Sequence, residues 1–192
     1  MRFSKLLMVG TVSLFTLPWL IGLSTGTAQA QTGTVIWERI VGIVQTEDVV
    51  GLGPTQAGSG SGSALGAIPW TTTAGNARVK LLAGEVRFDV EGLVLAVGSA
   101  PTLGITGLPI GTTGGVPSVK GTLVCNVTGP GTSTLVDTPA VPLSAQGDAS
   151  FNGNVGIPPA CVNEPGDTAF LIRNASGPFV GRYFAFGAVR IP

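Results

Sequence analysis

Between residues 76 and 97, apolar and polar side chains change places at almost every step. Val79, Leu81, Val86, Phe88 and Val90 alternate with Arg78, Lys80, Glu85, Arg87, Asp89 and Glu91, and Ala83-Gly84 sits at the centre. A period of two sends successive side chains to opposite faces of a strand, so this segment predicts a β-hairpin with a dry side and a wet side. Folding it about Ala83-Gly84 sets Leu81 opposite Val86, Val79 opposite Phe88 and Ala77 opposite Val90. On the wet side that register sets Arg78 opposite Asp89, a favourable cross-strand pair, and Lys80 opposite Arg87, a mild repulsion that Glu85 and Asp89 offset diagonally.

The rest of the pattern is read in the same way. Residues 34–45 (TVIWERIVGIVQ) are β-branched and nearly continuously apolar, which predicts a strand, with Glu38 and Arg39 near an edge and Gly42 permitting a bulge. Residues 47–70 shift to Gly, Ser and Pro, and 98–117 to Gly, Pro and Thr. Both read as long loops, the first of them mobile. The first lacks the register of a phosphate cradle. Residues 118–127 predict a strand that delivers Cys125. Pro139 and Pro142 confine the next segment to an edge or irregular strand, because proline cannot donate to a ladder.

Residues 148–157 (DASFNGNVGI) send two signals. Asn152-Gly153 is a hairpin-turn dipeptide. Yet Ala149, Phe151, Gly153, Val155 and Ile157 alternate with polar neighbours, and the continuous strand is the preferred reading. TAFLIRN and FVGRYFAFGAVRI supply the last two strands, with Phe184 and Phe186 on one face and assigned to the core. The tally is eight or nine strands joined by long Gly/Pro connections, with no amphipathic helix after residue 30. This predicts an all-β fold: a single β-sandwich, immunoglobulin-like or jelly-roll-like, with a barrel as the alternative. No repeat of solenoid or propeller length is present.

Composition places the chain among exported proteins. Glycine is unusually frequent (30 of 192 residues), and charged residues make up 10% against about a quarter in ordinary domains. A disordered chain would need fewer apolar residues and more net charge. At the N-terminus, Arg2 and Lys5 precede an apolar run over residues 6–23, and Ala28-Gln29-Ala30 offers small residues at the signal-peptidase positions. Residues 1–30 therefore read as a signal helix, cleaved between Ala30 and Gln31. Thr11, Ser13, Thr16 and Pro18 make the run a poor permanent anchor, so no stable membrane attachment is expected after cleavage. The single domain then spans residues 31–192. Losing Arg2 and Lys5 leaves eight basic against ten acidic side chains, a net charge of −2, and no basic stripe. Nucleic acid is thus not an expected partner.

Two cysteines, Cys125 and Cys161, are most simply a disulfide in an exported chain. The bridge is worth about 4 kcal/mol in the chain-entropy model.

Histidine is absent, which removes the common Ser-His and Cys-His mechanisms and imidazole-ligated metals. Carboxylates remain. Glu85, Asp89 and Glu91 share one strand face, but Arg78, Lys80 and Arg87 interleave with them, the mark of a solvated sheet face rather than a glycosidase pair. The NEPGD turn at 163–167 and the set Asp148, Asn152 and Asn154 offer too few oxygens for calcium, and Asx-type capping explains them. No cofactor or metal is expected. Among the aromatics, Trp70 alone is expected to be exposed, since it follows Pro69 beside the Gly/Ser loop, and it is the candidate contact for a glycan or small ligand. Asn126 and Asn174 head N-x-S/T sequons, which matter only in a glycosylating host.

GEVRFDVEGLVLA and FVGRYFAFGAVRI resemble the strand–Gly-Leu and Gly-Arg–strand pattern of chordin-type (CHRD) secreted β modules. Those modules carry a histidine-containing stretch after the first pattern and this chain has none, so no function is carried over. The reading from sequence is an exported, non-enzymatic β-sandwich, secreted, periplasmic or on the cell surface, acting as a structural or interaction module toward a protein or glycan partner. Binding of a glycan or small ligand by the loops around Trp70 is the second reading, and a carboxylate-dependent hydrolase the third.

Overall fold

The computed structural model describes residues 33–99, 106–177 and 179–191. The signal segment, including Ala28, Ala30 and Gln31, lies outside the described residues. In chain order the strands are β1 (Thr34–Gly42), β2 (Val49–Val50), β3 (Gly60–Ser61), β4 (Ala64–Leu65), β5 (Trp70–Thr71), β6 (Ala74–Lys80), β7 (Glu85–Glu91) and β8 (Val94–Leu95). They continue with β9 (Ser118–Cys125), β10 (Thr134–Asp137), β11 (Val141–Pro142), β12 (Ala149–Asn154), β13 (Thr168–Asn174) and β14 (Tyr183–Ile191). A short helix α1 (Pro159–Asn163) and a 3-10 turn (Pro165–Asp167) precede β13.

The protein is mostly β. Ten strands form one antiparallel sheet in the order β12-β7-β6-β1-β14-β13-β9-β10-β3, with β11 also pairing to β9. The sheet bends back on itself. Phe88 on β7 and Phe170 on β13, four places apart in that order, bring their ring centroids to 5.9 Å, and Trp37 on β1 meets Phe170 at 5.5 Å. Val79, Val86, Val90, Val119, Leu123 and Ile172 are buried in the same core. The alternation in β6 and β7 thus delivers its dry face where expected.

The hairpin register differs from expectation by two residues. Val79 lies opposite Val86, Ala77 opposite Phe88, Arg78 opposite Arg87 and Lys80 opposite Glu85. The four-residue connection is 81–84 rather than 82–85, with Leu81 in the turn yet drawn into the core and its N–H donating to Gly33 O. Gly84 turns the chain at φ 69°, and its carbonyl accepts from Val155 N at 2.8 Å. Lys80 Nζ consequently meets Glu85 Oε2 at 2.7 Å.

Three further expectations are corrected. β1 is interior, between β6 and β14, rather than near an edge. Glu38 and Arg39 are exposed beyond the end of the ladder to β6, which stops at Trp37 opposite Ala77, and the Glu38–Val189 pair is missing from the ladder to β14, where Val189 takes φ 47°. Phe186 is 37% exposed, unlike Phe184 two residues earlier, which is buried under Trp70. Residues 47–70 are not a free loop. Gln56 N donates to Ser63 O, Ser63 N to Pro54 O and Gly62 N to Ser133 O, while the buried Arg173 reaches Gln56 O through Nη2 at 2.5 Å. Gly181, at φ 83°, lies so close to Ala57 that a Cβ would collide with its backbone. That close approach seats the loop on the sheet, and it explains why β13 is buried along nearly its whole length.

β12 runs unbroken through Asn152-Gly153, pairing Asn152 with Arg87 and Gly153 with Val86. Cys125 and Cys161 form a disulfide that ties α1 to β9.

Candidate functional site

The two long loops meet over the start of β14. Trp70 is held there by its backbone, since its N–H donates to Ile43 O at 2.9 Å and β5 pairs Trp70 with Leu95 of β8. Its indole stacks on Phe184 with centroids 4.2 Å apart. Trp70 is only 3% exposed, so the exposed platform expected from sequence is not present. The flanking Gly/Ser residues said nothing about Phe184, which arrives from the last strand to cover the ring.

Burial does not leave Trp70 without a role. It lines a partly enclosed cavity of about 150 Å³. Ala67 and Ile68 come from the first loop, Leu95 from β8, and Leu108, Gly114, Gly115 and Val116 from the second loop. Phe179 and Arg182 close it from the approach to β14, Phe184 from β14 itself, Asn174 from the end of β13 and Ser176 from just beyond it. The wall is mainly apolar, with Arg182, Asn174 and Ser176 as its polar residues. Among the described residues, Trp70 Nε1 is the buried side-chain donor without an acceptor.

Arg182 is fixed rather than free. Its Nη1 donates to Gly66 O at 2.9 Å, its Nη2 lies 3.7 Å from Glu47 Oε1, and its guanidinium stands 5.9 Å from the Phe179 ring centroid. Next to it, Tyr183 donates to Asp48 Oδ2 at 3.1 Å. The first loop is therefore tethered to β14 at two successive residues.

The hairpin acids lie elsewhere, and among the described residues no carboxylate lines the cavity. Glu85 pairs with Lys80, Asp89 Oδ2 lies 3.3 Å from Arg87 Nε, and Glu91 is exposed. The two stretches weighed for calcium act as turn caps. Asp148 accepts from Gly92 N at 3.0 Å, and its own N–H donates to Ser144 Oγ at 2.9 Å. Asn152 and Asn154 are exposed along β12. Asp167 Oδ1 accepts from both Thr128 N and Thr128 Oγ1 at 2.9 Å, and Oδ2 from Gly129 N at 3.0 Å. Burial, the largest single influence, pushes the Asp167 carboxyl up, but the hydrogen bonds from Thr128, Gly129 and Val127 together hold it below the ordinary value. Among the described residues no group of three or more His, Cys, Asp or Glu side chains gathers to hold a metal.

Sequence reasoning missed a second polar cluster. Asp137 on β10 accepts from Lys120 Nζ at 2.5 Å and Thr122 Oγ1 at 2.6 Å, and lies 3.4 Å from Arg173 Nη1. Arg173 is fully buried, so burial draws its pKa down while Asp137 opposes the shift. Its Nε donates to Gly181 O at 2.6 Å. Every partner is thus protein, and the cluster fastens the first loop to the sheet. A lone Arg in TAFLIRN carried no sign of this.

The sequons differ in access. Asn174 is 1% exposed and its Oδ1 accepts from Ser176 N at 3.2 Å, whereas Asn126 is half-buried with its amide donating to Pro130 O at 3.0 Å. No family model, curated protein or solved structure matches the chain.

Proposed function

We propose that the chain is an exported, non-enzymatic β-sandwich whose task is binding, with the cavity beside Trp70 as its ligand site. The observation that carries this reading is the cavity itself, a mainly apolar space of about 150 Å³ enclosed jointly by both long loops against β14. Ligand sites are typically concave and apolar with a few placed polar groups, and this one has that composition at the scale of a single ring or branched chain. The disulfide is in keeping with export to a secreted, periplasmic or cell-surface location. Among the described residues no helix is long and apolar enough to cross a membrane. A small apolar ligand is favoured over a glycan, because a sugar platform needs an open aromatic face and Trp70 spends one face on Phe184. A hydrolase is disfavoured because none of the described residues lining the cavity is a carboxylate.

Toluene serves as the first probe. At about five times its Kd it is expected to raise the melting temperature by roughly 2–4 °C. Val116→Phe, which fills the cavity from its wall, is expected to abolish that rise while the protein stays folded. An unchanged melting temperature at saturating toluene refutes the binding reading and leaves a structural or interaction module without a small ligand.

A further inference from the structure

We propose that β12 is a docking edge that takes an extended peptide segment of a partner protein as one more strand of the sheet. The proposal is independent of the small-ligand reading above. β12 ends the ten-stranded sheet, and among the described residues its one ladder is to β7. Val155 N donates to Gly84 O in the register of that ladder, so Ala149, Phe151, Gly153 and Val155 are the residues bonded toward β7. The N–H and C=O groups of Ser150, Asn152 and Asn154 therefore point away from β7, and among the described residues they meet no partner. Natural sheets protect such edges with charges, prolines, bulges or brevity. β3 has two residues, and β11 carries Pro142. β12 has six residues in unbroken register, none of them charged or proline.

The core is incompletely closed along this edge. Phe151 lies opposite Phe88 across one ladder, while Val136 lies opposite Leu123, and Leu123 opposite Phe170. Directly opposed residues share a face, so Phe151 and Val136 both face the core where Phe88 meets Phe170. Val141, opposite the buried Val119, faces it too. All three are only half-buried, because no ladder joins β12 to β10 or β11. A cleft of about 530 Å³ separates the start of β12 from β11 instead. A strand added to β12 sends alternate side chains inward over these apolar residues. Charge narrows the partner further. Asp89, Glu91 and Asp148 border the cleft, and Glu91 is exposed with no ion-pair partner among the described residues. The complementary segment is apolar at alternate positions, with Lys or Arg on the intervening, solvent-facing ones.

The peptide acetyl-KVTVKVT-amide serves as the probe. In ¹⁵N-labelled protein, saturating probe is expected to slow amide hydrogen exchange at Ser150, Asn152 and Asn154 by about tenfold or more. Phe151, already bonded to β7, is expected to change far less. Asn152→Pro removes one outward N–H and spares the ladder to β7, so it is expected to weaken the probe about tenfold with little change in melting temperature. Glu91→Lys is expected to weaken it roughly three- to fivefold, and acetyl-EVTVEVT-amide is expected to recover that loss. No binding, or binding that both substitutions leave unchanged, overturns the docking edge. Slowed exchange at the same amides without peptide, growing with protein concentration, overturns the peptide partner in favour of a second copy of the chain.

Discussion

Tyr183 is the chain's single tyrosine, buried at the start of β14 with its hydroxyl held by Asp48. Burial, then the charge of Asp48 and the hydrogen bond to it, push the phenol well above its ordinary value. A group whose pKa is raised by folding contributes stability that is fully present below its unfolded pKa, about 10 for tyrosine, and is lost as pH climbs above it. The near-ultraviolet signal of tyrosinate is therefore expected to stay absent from the folded protein through about pH 11 and to rise only as the protein unfolds. A reversible ionisation near pH 10 in folded protein contradicts the Asp48 contact. Single residues were also where the sequence was least informative. Pro69 and the Gly/Ser run suggested an open Trp70, but exposure is decided by what packs on a ring, and Phe184 lies at the other end of the chain. Arg173 gave no signal at all, because its partners Gln56 O, Asp137 and Gly181 O are scattered along the sequence.

Elements were easier to read, and the hairpin β6–β7 shows where that legibility stopped. Its alternation fixed which side chains face the core, since the pleat has a period of two. A slip of two residues preserves the faces while exchanging every cross-strand partner, so the pattern could not choose between registers. Non-local bonds choose: Leu81 N to Gly33 O and Val155 N to Gly84 O hold the four-residue turn. In β12 the same kind of context prevails over a turn dipeptide, since the ladder to β7 runs straight through Asn152-Gly153. Arg78→Glu separates the two registers. Opposite Arg87 it relieves a like-charge pair, and the denaturant midpoint is expected to rise by an amount worth about 0.2–1 kcal/mol. A fall in stability would instead place residue 78 opposite Asp89.

At the scale of the whole molecule, one antiparallel sheet bends until β7 and β13 share a core, and the long loops close over the outside of β13 and β14. The all-β class and the Cys125–Cys161 bridge were legible because alternation and an even cysteine pair are local properties of the chain. The loop cover was not, because Gly/Ser/Pro composition describes a flexible chain and a tightly seated one equally well. Gly181 against Ala57 shows the second case, where a missing Cβ permits a close approach. The cavity arises from that cover, so the binding reading stands or falls with it. Apolar cavities of this size take up xenon. In a crystal of the protein held under xenon, a bound atom is expected between Trp70, Leu95 and Phe184, and it is expected to vanish in Val116→Phe. Electron density there that excludes xenon, with the loops packed solidly against Trp70, would contradict the ligand site.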